Sequence, residues 1–474
     1  MLFRKTVRIE DIAEKVSEQT YISIQEERSI IMAGYQKTEV LIREELDELV
    51  EEGRVIDRAE CEKRISGCAG DKAKLNALYD ELMDLPFRED FAYVEPSDWE
   101  GIKKEASFKV DGEVLPVDDD YFHGAWLGRC AGCALGQPVE LWDGEGIRNW
   151  YKNAGRYPID GYVPTVSGDK RNEGWATDEK INGMPPDDDI RFTVLALLLT
   201  ERLGYTFDSY DAGAHWMYSI PYRAVCTAEN QVYLNFASVD EFGPWGRPDN
   251  ALEILKRERI NEYRNPYREW IGAQIRIDGY AYCAAGLPAA AAKMAYEDAF
   301  LTHTKNGIYS AMFFAALIAA AFTEKDINKC FETALSFVPK RSRFYETALE
   351  AKKIGGTAQS REELADRVIN GMPKYNAVHA LNNSAICIAS IFFAKGDFAN
   401  AICTSLTCGM DTDCNCATVG SFTGALFGAS NIPERFAKPL NDTFSSGITG
   451  FDNASIRGFA MRCKAAREKY SGGK

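Results

Sequence analysis

From residue 121 onward, the chain is a succession of apolar segments rich in Ala and Gly, separated by loops rich in Gly, Pro and Asp. Runs in which apolar and polar residues alternate, the pattern of a half-buried strand, are few and short. Apolar spacing of three and four residues is typical of helices that pack around a core. The sequence therefore predicts an all-α fold for this part, with helices that include Ile190–Leu203, Ala284–Ala299, Ser310–Phe322, Ala377–Phe393 and Thr418–Leu426.

Residues 1–115 form a compositionally distinct region, with 28 Asp and Glu against 17 Lys and Arg. Heptad-like apolar spacing over residues 35–85 predicts amphipathic helices there. In the polar stretch that follows, SFKVDGEVL has the alternation of a short hairpin. We predict two parts, a mainly helical region over residues 1–115 and a second domain over residues 116–474. The first part could hold a partner, mediate self-association or cover a site, and its acidity argues only against an anionic partner.

Charge and apolar patterning exclude several classes of function. The net charge is −16, and no run of Lys or Arg offers a surface for nucleic-acid phosphates. The longest apolar stretch, Ile308–Phe322, has 15 residues and is too short for a membrane span. The 13 cysteines are scattered, and we expect a cytoplasmic protein with reduced thiols because no secretory signal is recognisable. Cys130 and Cys133 lack a second C-x-x-C pair, which favours structural thiols over a zinc site.

Two groups of carboxylates each stand at the predicted start of a helix. Asp187, Asp188 and Asp189 precede FTVLALLLTE, and Asp411 and Asp413 precede ATVGSFTGALFG. Capping and the helix dipole explain an acidic helix start taken alone. If the two starts converge, however, five carboxylates share one pocket, and their repulsion requires protons or cations. Oxygen ligands of this kind suit Mg²⁺ first and Mn²⁺ or Ca²⁺ next, whereas zinc prefers His and Cys ligands.

The same segments resemble the motifs of the ADP-ribosylglycohydrolase family, a family of all-α hydrolases. GAWLGRCAGCALGQPVE at residues 124–140 looks like the opening helix of that family, and residues 186–193 are similar to its Thr-Asp-Asp-Thr motif. Residues 409–428 follow its G-x-D-x-D-[ST] motif, and the segment around Asp298 and His303 looks like its A-x-x-D-A-x-x-T-H segment. The resemblance covers about residues 121–470 and implies an orthogonal helical fold there.

The resemblance also implies two Mg²⁺ ions and assigns roles to individual residues. The implied metal ligands are Asp187, Asp188, Asp189, Asp411 and Asp413. The implied catalytic carboxylates are Glu140, Asp188 and Asp189, and Asp298 and His303 are implied in substrate binding. Tyr280, which offers a ring for stacking, and Asn230, which could line a pocket mouth, are further candidates for substrate binding, although packing within surface loops is the alternative explanation for both.

The reaction implied by the resemblance is hydrolysis of the glycosidic bond at ribose C1 of an ADP-ribosyl or related riboside, small or protein-linked. A carboxylate would activate water, and the other carboxylates would stabilise an oxocarbenium-like state. Cys133, Ile190 and Cys414 depart from the family pattern, and a neutral thiol is a poor partner for Mg²⁺. Two alternatives stay open: an ADP-ribose-binding pseudoenzyme of the same fold, and a structural role in which the acids only cap helices.

Overall fold

The computed structural model describes residues 36–172, 174–242 and 246–471. They are mostly helical, so the predicted all-α fold is confirmed. The two short strands Thr443–Phe444 (β1) and Ala454–Ser455 (β2) pair antiparallel. The hairpin predicted in SFKVDGEVL is wrong, because residues 107–115 contain no strand.

The helices are connected by loops of very different lengths. Within residues 36–160 they are α1 (Thr38–Glu51), α2 (Arg58–Gly67), α3 (Lys72–Met83), α4 (Trp99–Glu105), α5 (Asp119–Gly136) and α6 (Gly144–Asn153). Then follow α7 (Asp188–Leu203), α8 (Ser209–Ser219), α9 (Thr227–Ala237), α10 (Ala251–Arg257), α11 (Gly272–Ile275), α12 (Asp278–Cys283), α13 (Pro288–Phe300), α14 (Lys305–Ala321) and α15 (Ile327–Leu335). The last are α16 (Arg343–Thr357), α17 (Arg361–Ile369), α18 (Ala380–Ala394), α19 (Phe398–Cys408), α20 (Thr412–Phe427), α21 (Glu434–Ala437) and α22 (Ile456–Ser471).

Aspartate begins many of these helices, which accounts for part of the acidic composition. A carboxylate just before a helix accepts hydrogen bonds from backbone N–H groups that lack a partner in the first turn. Asp143 does so for α6 and Asp208 for α8. The same kind of cap is provided by Asp57, Asp71, Asp98, Asp118, Asp326 and Asp397.

Helices α5 and α20 lie in close backbone contact. Helix α5 has glycine at every fourth position from Gly124 to Gly136, on one face. A Cβ atom on Gly132 would lie 1.9 Å from the carbonyl oxygen of Cys416, and one on Gly136 would lie 2.2 Å from that of Thr412. Since no side chain fits between the backbones, the glycines determine how the start of α20 lies against the end of α5.

The most apolar helices are buried around this pair. Helix α14 and most of α18 are enclosed by other helices, so Ile308–Phe322 belongs to the core. Among the described residues, no helix is both long enough and apolar enough to cross a membrane.

Helices α1 to α3 enclose a small apolar core of their own, separate from the main one. Helix α1 also contacts the part of the chain from residue 116 onward, called the large domain below, through buried charges. Arg268 is 2% exposed, and its guanidinium lies 2.7 Å from Glu45 and 2.8 Å from Glu52. The Lys305 ammonium lies 2.9 Å from Glu52. The small core consists of Ile42, Leu46, Leu49, Cys61, Ile65, Leu75, Leu78, Tyr79 and Leu82.

The segment between α3 and α5 runs along the large domain. The Tyr93 hydroxyl donates to Glu346 at 2.8 Å, and the rings of Trp99 and Tyr296 lie 4.9 Å apart. Asp111 accepts hydrogen bonds from two backbone N–H groups of α13. These contacts fasten the segment to helices beyond residue 116, and a domain boundary between residues 115 and 116 stays a prediction.

Candidate metal centre and active site

The close packing of α5 and α20 places two acidic segments at one end of the helix pair. Helix α5 ends at Gly136 and continues through one 3-10 turn to Glu140. The Thr412 hydroxyl, at the start of α20, donates to the carbonyl oxygen of Gly136 at 2.9 Å. Asp411 and Asp413, on either side of Thr412, therefore stand beside the segment that carries Glu140.

The loops that lead into α6 and α20 pair with each other. The N–H of Leu141 donates to the carbonyl oxygen of Met410 at 2.9 Å, and the N–H of Met410 donates to that of Trp142 at 3.1 Å. Gly409 has a φ of 77°, and a Cβ atom there would lie 2.4 Å from the Trp142 carbonyl oxygen. This approach requires glycine and holds Glu140 close to the start of α20.

The start of α7 is tied to the end of α5. The Asp187 carboxylate accepts a hydrogen bond from the N–H of Asp189 at 3.0 Å and another from the side-chain amide of Gln137 at 2.7 Å. Asp187 is 9% and Asp189 0% exposed, whereas Asp188 is half-buried. Capping accounts for Asp187 but not for the complete burial of the Asp189 carboxylate.

The acidic segments from these helix ends converge in one pocket. Its side chains form three overlapping groups, and in each group one ligand atom per residue lies within 4.8 Å of the others. The groups are Glu140, Asp411 and Asp413; Asp189, Asp413 and Cys414; and Cys133, Asp187 and Asp189. Asp188 belongs to none of the three, but its charge raises the pKa of Asp187 and of Asp411.

Burial and mutual repulsion raise the pKa values of the four buried carboxyls of the pocket, which are Asp187, Asp189, Asp411 and Asp413. Burial, together with the charges of Asp188 and Glu140, raises the pKa of Asp187 to about 7. Burial also raises the pKa of Asp413 well above its usual range, and the charges of Glu140 and Asp411 act in the same direction. The pocket therefore retains protons near neutral pH unless cations take their place.

Two carboxylate oxygens in the pocket point to a cation. Asp189 Oδ2 and Asp413 Oδ1 are inaccessible to water and have no hydrogen-bond partner within the described parts of the chain. A buried carboxylate oxygen without a partner is costly, and a hard divalent cation with oxygen ligands relieves that cost. The residues present therefore fit the divalent cations expected from the sequence.

Arg129, which the sequence analysis did not single out, lies beneath the pocket. It has no exposed surface, and its guanidinium lies 2.9 Å from Asp189 and 2.9 Å from Asp278. It also donates to the hydroxyl of Thr193 at 2.7 Å. Burial raises the pKa of Asp189 well above its usual range even though Arg129 opposes that shift. One signal in the sequence was the single charge in the small-residue segment GAWLGRCAGCALG.

The structure places Asp298, His303 and Tyr280 in the interior rather than in the pocket wall. All three are at most 1% exposed. The Asp298 carboxylate lies 2.6 Å from the Arg276 guanidinium and accepts a hydrogen bond from the Tyr280 hydroxyl at 3.0 Å. The His303 ring contacts the Thr302 hydroxyl, to which Arg276 also donates. Arg276 therefore organises the segment that resembles the A-x-x-D-A-x-x-T-H motif.

Helix α9 connects that interior network with the acidic pocket. Arg276 forms an ion pair with Glu229, and the charge of Asp188 is among the influences that raise the pKa of Glu229. Asn230 is fully buried and donates to the carbonyl oxygen of Tyr222 at 2.9 Å. Its Oδ1 atom has no hydrogen-bond partner in the described chain. The sequence analysis proposed Asn230 but missed Arg276 and Glu229, because nothing local marks either as buried.

Comparison with known proteins identifies the family of this chain. Residues 116–470 match the family model described as ADP-ribosylglycohydrolase, so the chain belongs to the ADP-ribosylglycohydrolase family. A solved structure titled "ADP-ribosylglycohydrolase-related protein complex" is similar at 17% sequence identity and a TM-score of 0.44, over 74% of this chain and 98% of that chain. No curated protein matches the sequence. The family is one of glycohydrolases, and membership alone fixes neither activity nor substrate.

Proposed function

We propose that this chain is a hydrolase, dependent on divalent cations, that cleaves the glycosidic bond at ribose C1 of an ADP-ribosyl compound or a related riboside. The proposal rests on one observation above all: carboxylates from three separate segments converge in a pocket where two of their oxygens have no partner among the described residues. Family membership supports the class of substrate that we propose. The substrate is either a small molecule or a protein-linked group.

In this proposal, the helix starts hold two cations, Mg²⁺ in the first place and Mn²⁺ or Ca²⁺ as substitutes. When bound, the cations supply a Lewis acid toward the ribose oxygens and neutralise the clustered charge. The ligands are Asp187, Asp188, Asp189, Asp411 and Asp413.

The half-buried carboxylates do the proton chemistry. Glu140 and Asp188 are more exposed than the other carboxylates of the pocket, so water and a substrate reach them. In the proposed reaction one of them removes a proton from the attacking water, and Asp189 and the remaining carboxylates stabilise positive charge that develops at C1. Glu140, Asp188 and Asp189 are thus the proposed catalytic residues.

The proposed substrate-binding residues divide into two kinds. Asn230 lies next to Glu229, and its side-chain amide oxygen has no partner among the described residues. In the proposal this oxygen accepts a hydrogen bond from a donor group of the substrate. Asp298, His303 and Tyr280 are buried, and we assign them an indirect part, in which they fix Arg276 and thereby Glu229 beside Asp188.

The decisive experiment is detection by mass spectrometry of ribose or ADP-ribose released from a panel of O- and N-linked ribosides, with Mg²⁺ and with EDTA. We expect release with Mg²⁺ only. Asp188→Asn and Asp413→Asn should abolish release and remove the rise in melting temperature that Mg²⁺ causes. Asp249→Asn is the matched control, since Asp249 is exposed on the surface. Full activity in both pocket variants would refute the proposal.

Cys133 and Cys414, which depart from the family pattern, favour one alternative: a pseudoenzyme that binds ADP-ribose without cleaving it. The same experiment distinguishes the two. Affinity for ADP-ribose, with a melting temperature raised by Mg²⁺ but no release from any riboside, would identify the pseudoenzyme. Absence of any effect of divalent cations would leave the acids as helix caps only.

A further inference from the structure

A thiol lies inside the acidic pocket. Cys414 follows Asp413 in the first turn of α20 and is 5% exposed. Its sulfur, one carboxylate oxygen of Asp189 and one of Asp413 lie within 4.8 Å of one another. The apolar side chains of Ile271 and Ile275 pack against Cys414. The polar neighbours of this sulfur are therefore carboxylates, and Asp411 is a third beside Asp189 and Asp413.

The two carboxylates of this group are available for a further ligand. Asp189 is 0% and Asp413 3% exposed, and the Oδ2 atom of the first and the Oδ1 atom of the second accept no hydrogen bond from the described residues. Three donor atoms at such separations match the ligand spacing of a single metal ion. The group is therefore more than a cluster of acids at a helix start.

The group around Cys133 differs in this respect. Its sulfur lies near Asp187 and Asp189, but both oxygens of Asp187 already accept hydrogen bonds, one from the Asp189 N–H and one from the Gln137 amide. Of the two thiols beside the pocket, Cys414 is thus the one grouped with two carboxylates, Asp189 and Asp413, that each have an unpartnered oxygen.

We propose that Cys414 is a thiolate ligand of one of the two divalent cations, together with Asp189 and Asp413, and that this one position binds Zn²⁺ or Fe²⁺ in preference to the Mg²⁺ that the all-oxygen position keeps. A thiolate is a soft donor that favours such ions, whereas oxygen ligands alone favour Mg²⁺. Ligation breaks the S–H bond of Cys414, forms a sulfur–metal bond and releases one proton to solvent. Neither the sulfur nor the metal changes its oxidation state.

Cobalt(II) tests this assignment directly, because a thiolate bound to Co²⁺ gives a sulfur-to-cobalt charge-transfer band in the near ultraviolet and an all-oxygen site does not. We expect titration of the full-length protein with Co²⁺ to produce that band. The band should be lost in Cys414→Ser, with the weaker visible bands of oxygen-bound Co²⁺ remaining. Circular dichroism of the variant shows whether it has kept its fold, and Cys414→Ala provides a second substitution at the position.

Two further cysteines serve as matched controls. Cys68→Ser removes a partly exposed thiol in the N-terminal region and should leave the band intact. Cys133→Ser removes the other thiol beside the pocket and should also leave it intact. A band that persists in Cys414→Ser, or that disappears only in Cys133→Ser, would overturn the assignment. Co²⁺ binding to the unaltered protein without any charge-transfer band would overturn it as well.

The assignment rests on the proposed metal centre but not on the proposed hydrolysis, and the two fail separately. Mg²⁺-dependent release of ribose without a charge-transfer band refutes thiolate ligation and leaves the hydrolase. A band that depends on Cys414, without release from any riboside, supports thiolate ligation and refutes the hydrolase. No Co²⁺ binding at all refutes the centre and this ligand with it.

Discussion

At the scale of single residues, one buried arginine sets much of the electrostatic balance beneath the pocket. Arg129 lies 2.9 Å from Asp189 and from Asp278, and all three are fully buried. Methionine at position 129 would keep an extended side chain but leave two carboxylates without their cation. Breaking a buried ion pair in this way typically costs about 3–5 kcal/mol. We expect Arg129→Met to lower the free energy of unfolding by about that amount in urea titrations without divalent cations.

Arg257 provides the control for that substitution. Its ion pairs with Glu241 and Glu258 are exposed on the surface, and exposed pairs contribute little to stability. Arg257→Met should leave the urea midpoint almost unchanged. Equal midpoints for the two variants would show that the buried pair contributes no more than an exposed one.

The residues of the pocket were predictable from the sequence to different degrees. Two groups stand out because their members lie close together in sequence and adjoin an apolar helix: the consecutive Asp187, Asp188 and Asp189, and the pair Asp411 and Asp413. Arg129 and Asp278 do not, because their partnership joins positions far apart in the chain. A single charge in a small-residue helix signals a buried partner, but the identity of that partner depends on which helices cross. The roles assigned to the carboxylates stay predictions.

At the scale of helices, the position of the acids depends on the contact between α5 and α20. A Cβ atom on Gly132 would lie 1.9 Å from the Cys416 carbonyl oxygen, and backbone cannot move aside as a flexible side chain does. Overpacking of this kind costs about 1–3 kcal/mol and displaces what is attached to the helix. We expect Gly132→Ala to lower the melting temperature and to weaken the effect of Mg²⁺ on it.

Gly356→Ala separates that effect from the general consequence of replacing glycine in a helix. Gly356 lies in α16, and no other part of the structure approaches within 4 Å of its added Cβ. Alanine there should stabilise the helix by roughly 0.5–1 kcal/mol. If Gly132→Ala also stabilised the protein, the close packing of α5 on α20 would be wrong.

The helices themselves were predictable because their signals are local. Apolar spacing placed α7 and α18 close to their observed bounds and found α13, α14 and α20, although it misplaced the starts of those three by several residues. Caps by Asp143 and Asp208 follow from residue preference alone. The hairpin in SFKVDGEVL failed because alternation over a few residues does not provide a partner strand. This segment instead follows the surface of the large domain, where Asp111 caps α13.

At the scale of the whole molecule, the acidic N-terminal region does not simply face solvent. Helix α1 and the residue that follows it present four glutamates to a buried interface with the large domain. There Arg268 and Lys305 pair with the carboxylates, and the Arg343 guanidinium donates to the backbone carbonyl oxygen of Glu51. The sequence predicted an acidic amphipathic helix but not its basic partners. The docking of α1 leaves the roles of partner binding and self-association as hypotheses, and residues 1–35 lie outside the described structure. The four glutamates are Glu45, Glu48, Glu51 and Glu52.

Glu48 makes this docking sensitive to pH. It is 2% exposed, neither carboxylate oxygen has a hydrogen-bond partner among the described residues, and the Arg268 guanidinium is 3.8 Å away. Burial raises its pKa well above the usual range, with Arg268 opposing the shift. The other charged and titratable groups around it are Glu51, Glu52, Glu269 and His379.

The direction of the effect follows from proton linkage. A glutamate whose pKa is raised in the folded state adds stability below its unfolded pKa of about 4.3, and this stability is lost as the pH rises through the folded value. The Glu48→Gln variant has no ionisable group at this position, so it does not lose that stability as the pH rises. We expect the variant to exceed the unaltered protein in stability by about 1 kcal/mol or more at neutral pH, since one pKa unit corresponds to about 1.4 kcal/mol. Urea midpoints measured at increasing pH, from about the unfolded pKa of 4.3 upward, should show the difference growing with pH.

Hydrogen exchange shows whether the gain belongs to the docking of α1. At one pH the amides of α1 should exchange more slowly in Glu48→Gln than in the unaltered protein, because exchange there reports local opening of the interface. Glu39→Gln, in the first turn of the same helix, should leave that rate unchanged, since Glu39 takes no part in the buried network. Faster exchange in Glu48→Gln would mean that the ionised carboxylate, held by Arg268, stabilises the interface at neutral pH.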